Sequence, residues 1–445
     1  MPSYFQIIKL VLPLALGMVN NAVMQFIDRA FLARESMTSL ESVMPSSMLS
    51  LIVLCFFQGV VAYSGTYVAN FHGAGDVPME RLSRRVGILI AVVSGILTLA
   101  FLPMGEIVLR AFSLGGEVAD KGIAYFEICI LGGIFLYLQM AEQSYFTGLG
   151  KTRVVFVVCL IGNLANIFLD WVFIFGKLGF PKFGIKGAAL ATVSSLAIQW
   201  VILLSLSCRH FRSSPEEKKL RLRDNWSLLK GMLRFGIPAG GYNILNLSSF
   251  TIFVFFAGRV GHLEAAVSNA CFAVNYLLFA PIEGFALGAQ TLVAQLKGSR
   301  RIKAARRAGL MTVVLSIAFT TIMLAFTLIF YRPILECFAP AEIAQKNAFI
   351  TLGRTLLWLM AAWQIFEVLD TVLCGALKGA GDTKFVLWWM LFVSFIVWIP
   401  TVAVVSIVKN EMPVLWATMI ISVALLAAGS LTRWLASSWV RIRIA

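Results

Sequence analysis

Charge is scarce in this sequence. Lys, Arg, Asp and Glu make up 13% of its 445 residues, against about 25% in soluble proteins, and so thin a polar coat excludes a row of ordinary soluble domains. Histidine occurs three times, as His72, His210 and His262, in loops or at helix ends without metal-ligand spacing. The seven cysteines (Cys55, Cys129, Cys159, Cys208, Cys271, Cys337 and Cys374) are scattered and form no CxxC pair. They read as small core residues, not as a disulfide frame or a metal site. No GxSxG is present and no Ser/His/Asp set is suggested, which argues against a hydrolase. The stretch "GLGKT" at 148–152 is similar to the end of a phosphate-binding loop, but Tyr145 stands where that motif needs its first glycine. Neither an ATPase, an enzyme of another kind, nor a resident cofactor is expected.

What is there instead is apolar sequence. Hydrophobic residues reach 59%, mean hydropathy is +0.86, and runs such as Gly87–Met104 are longer than a soluble core helix needs. The fold class is an all-α polytopic membrane protein. At roughly 20 apolar residues per bilayer crossing, twelve helices are expected near 7–33, 43–71, 86–109, 123–148, 153–177, 185–207, 232–258, 266–296, 308–331, 349–377, 385–408 and 413–435. Closed barrels are excluded because the runs are continuously apolar and do not alternate with period two. No cleavable signal is expected, since the apolar run after Lys9 outlasts a signal core.

Net charge is +15, yet the basic residues lie mostly in short loops, where the positive-inside bias accounts for them without nucleic acid. With the N-terminus inside, the inner loops and tail hold more than twice the Lys and Arg of the outer loops. Both termini are therefore expected in the cytoplasm, and the protein in the plasma membrane (the inner membrane of a bacterium). The densest basic segment, Arg209–Lys230, also carries Pro215, Glu216 and Glu217. It falls near mid-chain and divides an N-lobe, 1–207, from a C-lobe, 232–445, through a linker, 208–231.

The lobes can be superposed as sequences. At an offset of 225, Pro13 falls on Pro238, Asn21 on Asn246, Gln58 on Glu283, Gly59 on Gly284, Thr66 on Thr291 and Gly73 on Gly298. The pairs Arg84-Arg85 and Arg306-Arg307 follow, and at an offset of 231 "GLGKT" (148–152) falls on "GAGDT" (379–383). Six helices per repeat give both copies one orientation and a pseudo-twofold axis along the membrane normal. That architecture suits a transporter with its substrate between the lobes.

Charges inside spans are costly and face a cavity or a partner. The candidates are Asp28, Glu127, Glu142, Asp170, Glu283, Arg354, Glu367 and Asp370. Asn163, Asn166 and Asp170 are three and four apart and share one face of helix 5. Such a face can ligate Na⁺, carry a proton at Asp170, or simply hydrogen-bond a neighbouring helix. Asp28 has Arg29 beside it, but adjacent helical residues point about 100° apart. Glu367 and Asp370 face one way on helix 10, and two carboxyls in one low-dielectric site can hold a proton between them. Glu283 follows Pro281, so it faces a cavity at a kink or pairs with a basic residue. Glu127 and Glu142 lack a companion on their faces and read as structural. Pro13, Pro103, Pro238, Pro281 and Pro400 can kink helices.

These residues resemble the multidrug and toxic compound extrusion (MATE) transporters, NorM/DinF-like, over essentially the whole chain. The resemblance is carried by Asp28 after an early proline, "VAYSGTYVANFHGAGD" (61–76), "NLANIFLDWVFIFG" (163–176) with "GIKGAALAT" (184–192), and "GALKGAGDT" (375–383) after Asp370. It implies two six-helix lobes around a cavity, and export of drugs or other amphipathic, often cationic, organic compounds in exchange for Na⁺ or H⁺. Carried over by position, the N-lobe cation site is Asp28, Asn166, Asp170 and Thr192, and the acidic position of helix 10 is Asp370. NorM-like and eukaryotic members have a Glu in helix 7 where this chain has Asn246, which cannot release a proton. Coupling is therefore expected in the N-lobe, as in the DinF-like branch, with Glu367 or Glu283 as substitutes in the C-lobe. No metal beyond Na⁺ at Asp28, Asn166 and Asp170 is expected. The partners would be small organic substrates and the bilayer, with the protein a monomer. The alternatives are an exporter of one endogenous metabolite and a lipid-linked oligosaccharide flippase of the wider superfamily. The flippase would call for several buried arginines, and Arg354 is the clearest candidate.

Overall fold

The computed structural model describes residues 3–112, 116–212, 222–340, 343–409 and 411–444. Within the basic connector, residues 213–221 lie outside the described residues. Twelve helices are long and apolar enough to cross a membrane. They are α1 (Tyr4–Glu35), α2 (Glu41–Ala74), α3 (Val77–Ala111), α4 (Gly116–Gly148), α5 (Thr152–Phe175), α6 (Ile185–Arg209), α7 (Asn225–Ala257), α8 (His262–Gly298), α9 (Ile302–Ile329), α10 (Gln345–Gly379), α11 (Thr383–Val408) and α12 (Met412–Leu435). In hydrocarbon the helix is the open-chain structure that satisfies its own backbone, and the described residues contain no strand. Large apolar side chains remain exposed along the spans, Ile407 by 83%, Phe5 by 74% and Ile329 by 71%, as lipid-facing residues should be.

Two irregularities sit at prolines, and a third, at Tyr63 in α2, does not. A 3₁₀ turn, Leu99–Phe101, interrupts α3 just before Pro103, whose missing N–H leaves the Leu99 carbonyl without its usual donor. A π-helical turn, Phe392–Trp398, precedes Pro400 in α11 for the same reason. Pro13, Pro238 and Pro281 lie inside helices that continue through them.

The repeat read from sequence reappears in backbone detail. Gly150 and Gly381 have φ of 75° and 91°, a left-handed conformation that glycine adopts without Cβ strain. In each case the N–H one residue on closes the helix by reaching back, Lys151 to the Phe146 carbonyl at 2.9 Å and Asp382 to the Leu377 carbonyl at 2.9 Å. This Schellman closure ends α4 and α10 alike.

The chain forms two compact units. One comprises Met1–Ala15, Tyr242–Lys297 and Arg301–Arg443; the other comprises Leu16–Gly241, Gly298–Arg300 and Ile444–Ala445. In the first, which we call the C-unit, Gly284 and Gly288 of α8 admit Ala15 and Val11 of α1, and a Cβ at either glycine would collide with them. In the second, the N-unit, Gly236 and Gly240 of α7 similarly meet Val60 and Phe56 of α2. Within the C-unit, Gly375 and Gly379 of α10 lie directly on the α8 carbonyls of Ala286 and Gln290. Their N-unit counterpart is Gly148, whose Cβ would stand 2.8 Å from the Gly65 carbonyl. Close backbone approach at small residues is how membrane helices gain van der Waals contact without a hydrophobic driving force.

Glu142 of α4, read as structural, is fully buried and is held by Arg84 of α3. Arg84 Nε donates to Glu142 Oε2 at 2.9 Å, a second guanidinium bond reaches Oε1, and Arg84 Nη2 donates to Ser207 Oγ at 2.7 Å. Glu127 is exposed.

Two stability predictions follow from these contacts. Gly379→Leu should destabilise the purified protein by at least about 1–3 kcal/mol, the usual range for overpacking. Gly17→Ala, where a Cβ meets nothing within 4 Å, should leave the thermal midpoint in detergent unchanged. Arg84→Ala should cost about 3–5 kcal/mol because it strands a buried carboxylate. The double variant with Glu142→Ala should recover most of that loss in the same melting assay.

Candidate functional site

Helix α5 turns one polar face inward. Asn163, Asn166 and Asp170 are 3%, 0% and 0% exposed, as their spacing requires. Asn166, its amide oriented to suit its neighbours, donates from Nδ2 to Asp28 Oδ1 at 3.1 Å and accepts the Thr192 N–H at 3.2 Å. The two carboxyls, Asp28 and Asp170, lie close enough to act directly on each other. Asp170 Oδ1 is fully buried and accepts no hydrogen bond. Three helices, α1, α5 and α6, thus meet at one oxygen-rich point of the N-unit. Thr192 serves it through its main-chain amide, since its hydroxyl donates to the Ala188 carbonyl at 3.0 Å. Arg29 is exposed and acts on Asp28 electrostatically.

The polar face extends further than the sequence suggested. Asn163 Nδ2 donates to Asn21 Oδ1 at 2.9 Å, and Cys159 Sγ donates to the same oxygen at 3.1 Å. On the other side, Tyr125 of α4 interacts electrostatically with both aspartates. Cys159 is therefore a polar member of the site's surroundings and not simply core filling.

Two carboxyls within hydrogen-bond reach repel unless a positive charge stands with them, either a proton on one or a cation between them. The Asp28 and Asp170 carboxyls are hard oxygen donors of the kind that suit a small cation. Among the described residues no group of three or more His, Cys, Asp or Glu is placed to hold a metal ion.

The C-unit carries a second polar cluster. Asp370, 4% exposed, accepts hydrogen bonds from Ser430 Oγ at 2.6 Å and from Cys374 Sγ at 3.5 Å. Glu367, half-buried, accepts from Trp363 Nε1 at 3.0 Å and from Thr371 Oγ1 at 3.4 Å. Glu283 is exposed and interacts electrostatically with Lys378, the basic partner left open by the sequence. Asn246 lies one turn beyond Tyr242 on α7 and is half-buried. Arg354, the candidate for a buried cationic cavity, is exposed and stacks its guanidinium on the Tyr331 ring at 5.6 Å.

Sequence reasoning missed Lys378, Tyr242, Cys374 and Ser430 as members of this cluster. Lys378 had a visible signal, a lysine at the end of an apolar span inside "GALKGAGDT", but the positive-inside bias absorbed it as a loop charge. Tyr242 and Ser430 offer no such signal.

Comparison with known proteins agrees with this architecture. The family model described as MatE matches residues 13–172 and 238–404, two stretches whose starts are the offset that relates Pro13 to Pro238. A protein of Thermotoga maritima called probable multidrug resistance protein NorM is 25% identical over 382 residues, covering 85% of this chain and 80% of that protein. Multidrug resistance protein MdtK of Edwardsiella ictaluri is 22% identical over 456 residues, 99% of this chain and 98% of its own. A solved structure described as the outward-facing conformation of a multidrug resistance MATE family transporter of the MOP superfamily shares the fold. Its TM-score is 0.87 at 19% identity, over 99% of this chain and 97% of that one. The matched family spans most of the chain and both halves of its repeat, and the chain belongs to the MatE family as a twelve-helix, NorM-like membrane transporter.

Proposed function

We propose that this transporter is a secondary antiporter that exports amphipathic, often cationic, organic compounds in exchange for Na⁺ or H⁺ by alternating access. The observation that carries the reading is the Asp28–Asp170 contact. Two adjoining carboxyls, Asp170 fully buried and Asp28 half-buried, with Asn166 on one side, need a positive charge to be stable. A cation or proton arriving there stabilises one arrangement of α1, α5 and α6, and its departure relaxes that arrangement. A ligand shifts a conformational equilibrium by its difference in affinity for the two states, and a site that demands charge supplies such a difference. The substrate class rests on the names of the relatives, which are multidrug resistance proteins. The flippase alternative loses its best arginine, because Arg354 is exposed on Tyr331.

The distribution of basic residues among the loops supports a reading in which both termini lie in the cytoplasm. A C-terminal fusion should therefore make green fluorescent protein glow and leave alkaline phosphatase inactive; the opposite pattern would reverse the orientation.

Proteoliposomes loaded with a fluorescent cationic dye and given a Na⁺ gradient or, separately, a pH gradient test the coupling. One gradient should drive dye movement, and Asp28→Asn and Asp170→Asn should each reduce that driven component roughly tenfold or more. Asp370→Asn should spare it. Full gradient-driven transport in Asp170→Asn would end the proposal.

A further inference from the structure

The C-unit cluster contains a half-buried cation, whereas the cation in range of the Asp28–Asp170 pair, Arg29, is exposed. Lys378 is the penultimate residue of α10, followed by Gly379 and the turn at Gly381. A lysine so close to a helix end ordinarily extends its ammonium outward to water. This one leans back along its helix, in the direction the Cα–Cβ bond of a helical residue already points. Its ammonium lies 3.8 Å from the centroid of the Tyr242 ring. Tyr242 is buried on α7 beside Cys374, one turn before Lys378. Cys374 in turn donates to Asp370 at 3.5 Å, and Ser430 donates to the same carboxylate oxygen at 2.6 Å. The ammonium interacts electrostatically with Asp370, Cys374 and Glu283. The glycines on either side of it, Gly375 and Gly379, press α10 onto the α8 carbonyls of Ala286 and Gln290, which brings Glu283 of α8 into range.

At the Asp28–Asp170 pair the neighbours are the neutral groups Asn166, the Thr192 amide and Tyr125, with exposed Arg29 outside. One unit thus has a carboxyl cluster with a cation built into the chain, and the other has a carboxyl pair with none at its centre.

We propose that Lys378 is a tethered counter-ion. Its ammonium, held by the Tyr242 ring and the field of Asp370 and Glu283, takes the place in the C-unit that an exchangeable cation would otherwise occupy. Ion exchange is thereby confined to the Asp28–Asp170 pair, and the number of ions moved per cycle is set by a residue that never leaves. The inference rests on the antiport reading for its meaning, although the C-unit part can be measured alone. Lys378 is a specificity-determining and positioning residue in this scheme, since it acts by filling a site and not by touching substrate.

The test counts ions on the purified full-length protein in nanodiscs. Radioactive sodium reports Na⁺, and potentiometric titration on substrate addition reports protons. The wild type should bind one ion per chain, lost in Asp170→Asn and kept in Asp370→Asn. Lys378→Met should gain a second, removed again by adding Asp370→Asn, and Lys378→Arg should behave as the wild type. Thermal melting supplies a separate readout that tolerates a weakened fold. NaCl should raise the midpoint of Lys378→Met above that in choline chloride, by more than it does for the wild type. An unchanged ion count and salt response in Lys378→Met would overturn the proposal, and so would loss of the wild-type ion in Asp370→Asn. No ion at Asp28–Asp170 in the wild type would instead overturn the antiport reading. The gain in Lys378→Met and its reversal by Asp370→Asn would still decide the role of Lys378.

Discussion

A carboxylate in hydrocarbon has no water to turn to, and the polar interior of this chain is arranged around that constraint. Each intramembrane acid meets it differently. Glu142 is answered by a guanidinium and a serine behind it. Asp370 is answered by a hydroxyl and a thiol, with an ammonium nearby. Asp28 and Asp170 answer each other, with an amide alongside. The first solution is fixed, because both charges belong to the chain and neither can depart without unfolding. In the proposed antiport cycle the last is open, its missing charge arriving from outside, and the fixed kind keeps the rest of the scaffold from competing with it.

Close packing of backbone on backbone makes these solutions geometrically possible. Gly375 and Gly379 let α10 touch α8, and Gly148 lets α4 touch α2 at Gly65. Side chains as short as Asp, Asn and Ser can bridge helices only at such separations. Every residue named in each cluster comes from one compact unit.

Much of this was legible in the sequence because hydrocarbon thickness and helical rise are fixed lengths. Twelve apolar runs became twelve helices, and the spacing of Asn163, Asn166 and Asp170 became a buried face. The offset between "GLGKT" and "GAGDT" became two identical helix closures. Less legible was any residue whose role depends on where its side chain turns. Arg84 and Lys378 lie where loop charges are expected, and only their conformations show that one pairs with Glu142 and the other reaches the Tyr242 ring. Cysteines 159 and 374 read as filler because a thiol carries no pattern of its own, yet both donate into polar clusters. Thr192 stands where the family resemblance implies, but its contribution is the amide every residue has. The association of the first turns of α1 with α8 is a three-dimensional contact that no periodicity encodes.

The short helix Tyr331–Glu336, in the hairpin between α9 and α10, is fastened to the span beside it. Its Leu335 is fully buried in the C-unit core, and a Cβ on Gly353 of α10 would collide with that side chain. The turn is therefore braced: residues added there would have to dislodge a packed leucine, so this hairpin holds the pitch of α10 against α9 and is not slack rope between them.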